Sequence, residues 1–364
     1  MKKFEPFENK RVTSRRSFVK RGIVAASAAA AGTGLMGRRA SAFSRQAEDD
    51  RLAKGDAAIL RLLAAAEIIE ADLWQQYNEL GGVNATASGY TAGLLQLDGD
   101  MSQYISDNTD DEISHVQFLN AYLESKGEEP VNFDQFRTVP GSQASGAQPI
   151  GRLTNLMQLT VDTSWWTRYR SRRNPDFGAT FSQAVPTLGV GQHPAIPRND
   201  AELGDANNIS NHVQAIANTA GFHFGFIEQA GTSLYATMSQ RVTSLEVLKI
   251  TLSIGGSEIM HFQTWHDKAG NAVPLTDGDL TFPDLAHNHA ELLQANLIMP
   301  EPCDFISKQL PRCAIIRPTG PGQIDAIGAI NGFIADGLFI GQNPEFVQRL
   351  LTMAAEADQA KREL

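Results

Sequence analysis

Apolar residues recur at helical spacing in four long stretches of the chain. From Asp56 to Leu80 the stripe is Ile59, Leu62, Leu63, Ala66, Ile69, Leu73 and Tyr77, with Asp56 placed to cap a helix and Gly81-Gly82 placed to stop it. From Met101 to Lys126 it is Ile105, Val116, Leu119 and Leu123, with Gly127 as the stop. Ser210 or Asn211 opens a third helix that runs to about residue 240 and carries Phe222, Phe224, Phe226 and Ile227 in a nearly uncharged run. Ser244 caps a fourth, which passes Leu248 and Leu252, reaches Lys268 and ends at Gly270. The pattern predicts an all-α protein built on a four-helix bundle over residues 43–270. Between the second and third helices, residues 128–208 lose the period and carry Pro130, Pro140, Pro149, Pro175, Pro186, Pro194 and Pro197. This stretch reads as a long insertion joining two helical hairpins, with one helix predicted from Gly151 to Arg170. Residues 271–364 read as a C-terminal extension that ends in an amphipathic helix from Pro344 to Lys361. Its expected part is to cover the bundle or to mediate assembly into an oligomer.

Charged and polar residues interrupt these stripes in a repeated way. Glu112 and His115 form Glu-x-x-His in the second helix, and Glu258 and His261 form it again in the fourth. Residues three apart on a helix lie about 60° apart around the axis and about 4.5 Å along it, so each carboxylate and its imidazole point the same way. Glu67 and Glu70 break the apolar face of the first helix, and Glu228 is the lone acid among aromatics in the third. A carboxylate on a buried face needs a partner, and a cation is a natural one; the bland alternative places any single one of them at an edge, in reach of solvent. In chain order the set is Glu67 (or Glu70), Glu112-x-x-His115, Glu228, Glu258-x-x-His261. One Glu-x-x-His arises often by chance, but four helices that bring Glu, Glu-x-x-His, Glu and Glu-x-x-His in that order form the ligand pattern of bundles that hold two metal ions. Oxygen and nitrogen donors without thiolate suit iron or manganese. His223 and His266 fall off the ligand face and are expected to be structural or exposed.

The phrases Glu67-Ile68-Ile69-Glu70-Ala71-Asp72-Leu73-Trp74, Asp111-Glu112-Ile113-Ser114-His115, Phe226-Ile227-Glu228-Gln229-Ala230-Gly231-Thr232-Ser233-Leu234-Tyr235 and Glu258-Ile259-Met260-His261 make the chain resemble the ferritin-like superfamily, within it the branch of exported and desiccation-related proteins. The resemblance covers the four helices and leaves out the insertion and the extension. It implies a di-metal centre with Glu112 and Glu258 as bridging carboxylates. It also selects Glu67 over Glu70 as a terminal ligand, because Glu67 stands seven residues before an aromatic, here Trp74 where the family has Tyr. The implied chemistry is that of an oxidoreductase acting on dioxygen or hydrogen peroxide, ferroxidase-like or catalase-like. The competing implication is a non-catalytic stress or desiccation-related structural protein on the same scaffold. The insertion and the extension argue against an iron-storage shell.

Charge adds an address. The chain has 364 residues and a formal net charge of −10. Thr13-Ser14-Arg15-Arg16-Ser17-Phe18-Val19-Lys20 resembles a twin-arginine export signal, followed by an Ala-rich run from Gly22 to Met36 and a small-x-small cleavage site at Ala40-Ser41-Ala42. Residues 1–42 hold ten Lys and Arg against Glu5 and Glu8, a charge of +8, which leaves −18 on the remainder. The expected product is periplasmic or secreted, cleaved after Ala42 and handled by the twin-arginine machinery. The apolar run is too short for a stable membrane anchor. So acidic a remainder is a poor partner for nucleic acid, and Trp165-Trp166 beside Arg168, Arg170, Arg172 and Arg173 is expected to be a packing anchor with solvated charges. Cys303 and Cys313 are expected to pair in an oxidising compartment.

Overall fold

Two helical hairpins close around one apolar core. In the computed structural model, which describes residues 51–168, 182–285, 287, 300–301, 306–314 and 325–363, the first hairpin is α1 (Lys54–Gly81) with α3 (Met101–Ser125), and the short α2 (Gly89–Leu94) lies between them in sequence. The second is α6 (Asn211–Ser239) with α7 (Leu245–Ala269). The expected export signal, Arg170, Arg172, Arg173 and Cys303 lie outside the described residues. The described residues from Arg51 onward belong to one compact unit. Helix α6 is buried on nearly all sides, as its uncharged run requires. Trp74 of α1 stacks on Phe224 of α6 and Trp265 of α7, with ring centroids 4.8 and 5.2 Å apart, so three of the four helices meet in one aromatic layer.

Ser210 and Ser244 cap α6 and α7 by accepting from the Val213 and Val247 amides. Asp56 does not cap its own helix. It lies fully buried and accepts from the amides of Thr243, at 2.7 Å, and Ser244, at 2.9 Å, which ties the start of the first hairpin to the turn of the second. That carboxylate is worth more satisfying two amides of a distant turn than one amide nearby.

Of the helix predicted over 151–170, the described residues form only α4 (Trp165–Arg168). The preceding backbone is spent on other partners. Arg152 bridges Val139, Leu159 bridges His193, and the Asn155 amide donates to the Leu338 carbonyl at 2.7 Å. Asp72 of α1 takes the Leu153 and Thr154 amides, both at 3.0 Å, and the Thr154 hydroxyl at 2.7 Å, and it pairs with Arg137 at 2.6 Å. A buried carboxylate with this many donors outweighs helix propensity, which is worth only tenths of a kcal/mol per residue. Trp165 and Trp166 are the packing anchors expected of them. Trp165 occupies the space that the absent side chain of Gly225 leaves, and Trp166 stacks on His266 with centroids 4.2 Å apart. His266 is therefore structural and buried, not exposed.

After a short α5 (Asp200–Leu203) that precedes α6, and beyond α7, the chain forms a hairpin of Leu275–Asp277 with Leu280–Phe282, turned by Gly278 at φ +60°. Pro300–Glu301 pairs with Cys313–Ala314. The extension ends in α8 (Ala326–Ala335) and α9 (Pro344–Asp358), with α9 packed against α1. Asp358 accepts from the Ala326 and Ile327 amides at 3.0 Å each and pairs with Arg241 at 2.9 Å. Among the described residues no helix is long and apolar enough to cross a membrane.

Candidate metal centre

Each of the four long helices delivers its acid to the same point in the core. Glu67, Glu112, His115 and Glu258 form one group whose ligand atoms lie within 4.8 Å of one another; Glu112, Glu228, Glu258 and His261 form a second within the same limit. Glu112 and Glu258 belong to both. His115 Nδ1 stands 3.2 Å from Glu67, 3.1 Å from Glu112 and 3.5 Å from Glu258. His261 Nδ1 stands 3.1 Å from Glu112 and 3.2 Å from Glu228. The four carboxylate side chains are 0 % exposed and the two imidazoles 11 %, so the centre faces outward on its imidazole side. Glu70 is buried one turn from Glu67 but stands outside both groups.

A second layer fixes these side chains. Ser257 Oγ gives its proton to the Ile254 carbonyl at 2.7 Å and so accepts from His115 Nε2 at 3.1 Å. Asp111 accepts from His261 Nε2 at 3.2 Å. The residue just before each Glu of one Glu-x-x-His thus meets the imidazole of the other. Both contacts turn Nδ1 inward. Tyr235 donates to Glu67 through a short hydrogen bond. Asn108 donates to Glu112 at 2.8 Å and to Glu228 at 2.9 Å, and Trp265 Nε1 donates to the Asn108 carbonyl oxygen at 2.7 Å, which fixes the amide's orientation. Gly231 of α6 makes room: a Cβ there would collide with Glu258 Oε2. Sequence reasoning did not assign roles to Asn108, Tyr235, Trp265 or Gly231. For Tyr235 a signal existed, since it follows Glu228 by seven residues, as Trp74 follows Glu67.

Burial sets the electrostatics and the charges then compete with it. Burial pushes Glu258 well above the usual carboxylate range, and the charge of Glu112 adds to this. Burial and the charge of Glu228 raise Glu112 to about 7. For Glu70, burial and the charge of Glu67 also act upward, and it is held well above its ordinary value. Burial also opposes ionisation of Glu67, but the bond and charge of His115 win and hold it low. Burial disfavours a charged His115, yet Glu112 and Glu67 raise it to about 10, and Glu228 with its neighbours raises His261 further.

This donor set fits metal. Both oxygens of Glu258 are buried without a hydrogen-bond partner among the described residues, an expensive arrangement for a carboxylate unless a cation meets it. Four carboxylates and two imidazoles, all oxygen and nitrogen, suit iron or manganese and not a thiophilic ion.

No curated protein and no solved structure matches the chain. The ferritin-like domain family matches it over residues 55–270, from the start of α1 to the end of α7 and more than half its length. The chain belongs to the ferritin-like domain family.

Proposed function

We propose that the centre holds two metal ions, iron or manganese, and that the protein is an exported oxidoreductase acting on dioxygen or hydrogen peroxide, ferroxidase-like or catalase-like. The observation that carries this is the overlap of the two donor groups at Glu112 and Glu258. Two sites that share two carboxylates are what a metal pair a few ångströms apart needs to offset its own repulsion. When bound, such a pair gives or takes electrons in twos. In this reading Glu67 and Glu228 would each serve one ion, Glu112 and Glu258 would be shared by both, and His115 and His261 would offer Nδ1. Ser257 and Asp111 orient the imidazoles, and Tyr235 and Asn108 orient the carboxylates of Glu67 and Glu228.

Elemental analysis of protein loaded with iron or manganese tests the centre. Wild type should bind two ions per chain, and Glu112→Ala or Glu258→Ala should lose most of the metal and all redox activity. Fewer than about one ion per chain in wild type, or variants that match it, would leave the scaffold reading in place. For the address, Arg15-Arg16 changed to Lys-Lys should strand the protein in the cytoplasm, and normal export of that variant would remove the twin-arginine assignment. The same export reading carries a Cys303–Cys313 disulfide, which thiol titration of the denatured, unreduced protein checks.

A further inference from the structure

Between α3 and α7 lies a cavity of about 160 Å³. Its lining reaches the centre at four points. His261 is itself one of the six, Asn108 bonds Glu112 and Glu228, Ser257 bonds His115, and Asp111 bonds His261. Of the six, His261 lines this cavity and is 11 % exposed, whereas the four carboxylates are 0 % exposed. At the outer rim stand the exposed carboxylates of Asp107 and Asp111. Lys268 stands 5.2 Å over the Tyr104 ring of the lining, and Asp98 and Asp267 hold it at 2.7 and 3.1 Å. A second groove, of about 220 Å³ between α1 and α3 near Gln75, is lined by none of the six residues nor by their hydrogen-bond partners.

We propose that the α3–α7 cavity is the port through which divalent cations reach the centre, and that Asp107 and Asp111 at its rim draw them in. The proposal rests on the metal-centre reading above and narrows it. A cavity this small admits a cation with a few waters, or a diatomic or peroxide molecule, and bars an organic substrate from the metals. Two acids at the mouth of a low-dielectric passage raise the local concentration of cations and repel anions. Glu258, whose oxygens have no hydrogen-bond partner among the described residues and only His115 Nδ1 near them at 3.5 Å, does not line the cavity and is the partner the entering ion finds beyond it.

Stopped-flow association of Co²⁺ with the full-length apoprotein tests the port. Thr264 lines the cavity and spends its hydroxyl on the Met260 carbonyl of its own helix, so Thr264→Phe fills the passage without removing a contact of the centre. Association should slow about tenfold or more while the cobalt bound at equilibrium stays the same. Asp107→Asn should slow it several-fold and flatten its dependence on ionic strength. Gln75→Phe, in the other groove, should leave the rate as in wild type. Unslowed uptake by Thr264→Phe overturns the port. If that variant binds no cobalt at all, Asp107→Asn decides, and a wild-type rate with wild-type salt dependence overturns the port equally. Wild-type protein that takes up no Co²⁺ overturns the metal centre itself, a different result from wild-type uptake by another entrance.

Discussion

Glu67 with His115 and Glu228 with His261 occupy corresponding places in the two hairpins, yet a phenol holds the first carboxylate and a pinned amide holds the second. The residue seven beyond each lone Glu explains the difference. Tyr235, seven beyond Glu228, reaches back to Glu67. Trp74, seven beyond Glu67, cannot return the gesture to Glu228; its Nε1 has no hydrogen-bond partner among the described residues, and its ring goes into the aromatic layer instead. Asn108, clamped by Trp265, supplies the missing donor. The outer partners differ too, a neutral hydroxyl of Ser257 for His115 and a carboxylate of Asp111 for His261. A carboxylate partner makes an imidazole the stronger ligand. Repetition of the ligand pattern therefore yields two positions of the same composition and unequal character.

Removing the terminal ligands tests that inequality with the largest effect. Glu67→Ala and Glu228→Ala should each lose one ion while the other is retained, with affinity at the damaged position down by more than about a hundredfold; Glu70→Ala should keep both. Elemental analysis after desalting separates these outcomes, and loss of both ions from both variants would dissolve the distinction between halves. Next comes Gly231→Ala. In an ordinary helix interior this change stabilises by about 1 kcal/mol, but here the new Cβ meets Glu258, which both positions share. Affinity should fall about tenfold or more at both, from roughly 1–3 kcal/mol of overpacking, as read by competition with a chelator. Smaller still, Tyr235→Phe and Asn108→Leu should weaken metal by up to about tenfold each, the first at the Glu67 position and the second most at the Glu228 position, with a lesser effect at the other because Asn108 also holds the shared Glu112.

The smallest effect concerns an imidazole that faces no carboxylate. His223 is buried against Tyr77, with its Nδ1 2.7 Å from the phenol oxygen, and burial lowers it to about 3. The unfolded chain takes up a proton near pH 6.5 and the folded one does not, so stability should fall as pH drops from 6.5 towards 3, by about 1 kcal/mol between pH 6.5 and 5.5. His115 runs the other way: raised to about 10, its contribution in the apoprotein is complete below pH 6.5 and is lost as pH rises through 10. Urea midpoints of apoprotein and His223→Gln across pH 7 to 5 check the first slope. Identical slopes would mean that His223 is protonated inside the fold.

What the sequence made legible follows the range of the interactions. The two Glu-x-x-His arms are set by helix geometry over three residues, and the caps Ser210 and Ser244 by contacts over three, so both could be read directly. Convergence of the six residues was expected from their order on four helices. Asn108 looks like any polar residue of an amphipathic helix; its partners Glu228 and Trp265 lie more than a hundred positions away. Gly231 reads as a weak point in a helix until Glu258 is placed beside it. Asp56 misled because it looks like a local capping acid, and Asp72 carried no local signal at all; each is used by amides far along the chain, Thr243 and Ser244 for one, Leu153 and Thr154 for the other. The missing helix over 151–164 is the mirror image of the Asp72 contact.

The packing of α9 on α1 has a consequence for biosynthesis. The ribosome delivers α1 first among the helices described and α9 last, so one flank of α1 waits for its cover until α9 has emerged, and Arg241 waits equally long for Asp358. All four ligand-bearing helices emerge well before that. Between those two moments the chain has its complete set of donors and an unfinished exterior, an interval in which a folding chaperone has a bare apolar surface to hold while the interior assembles. Such a chain completes its packing only after the last of the described helices has emerged, so its donor set is assembled before its exterior closes.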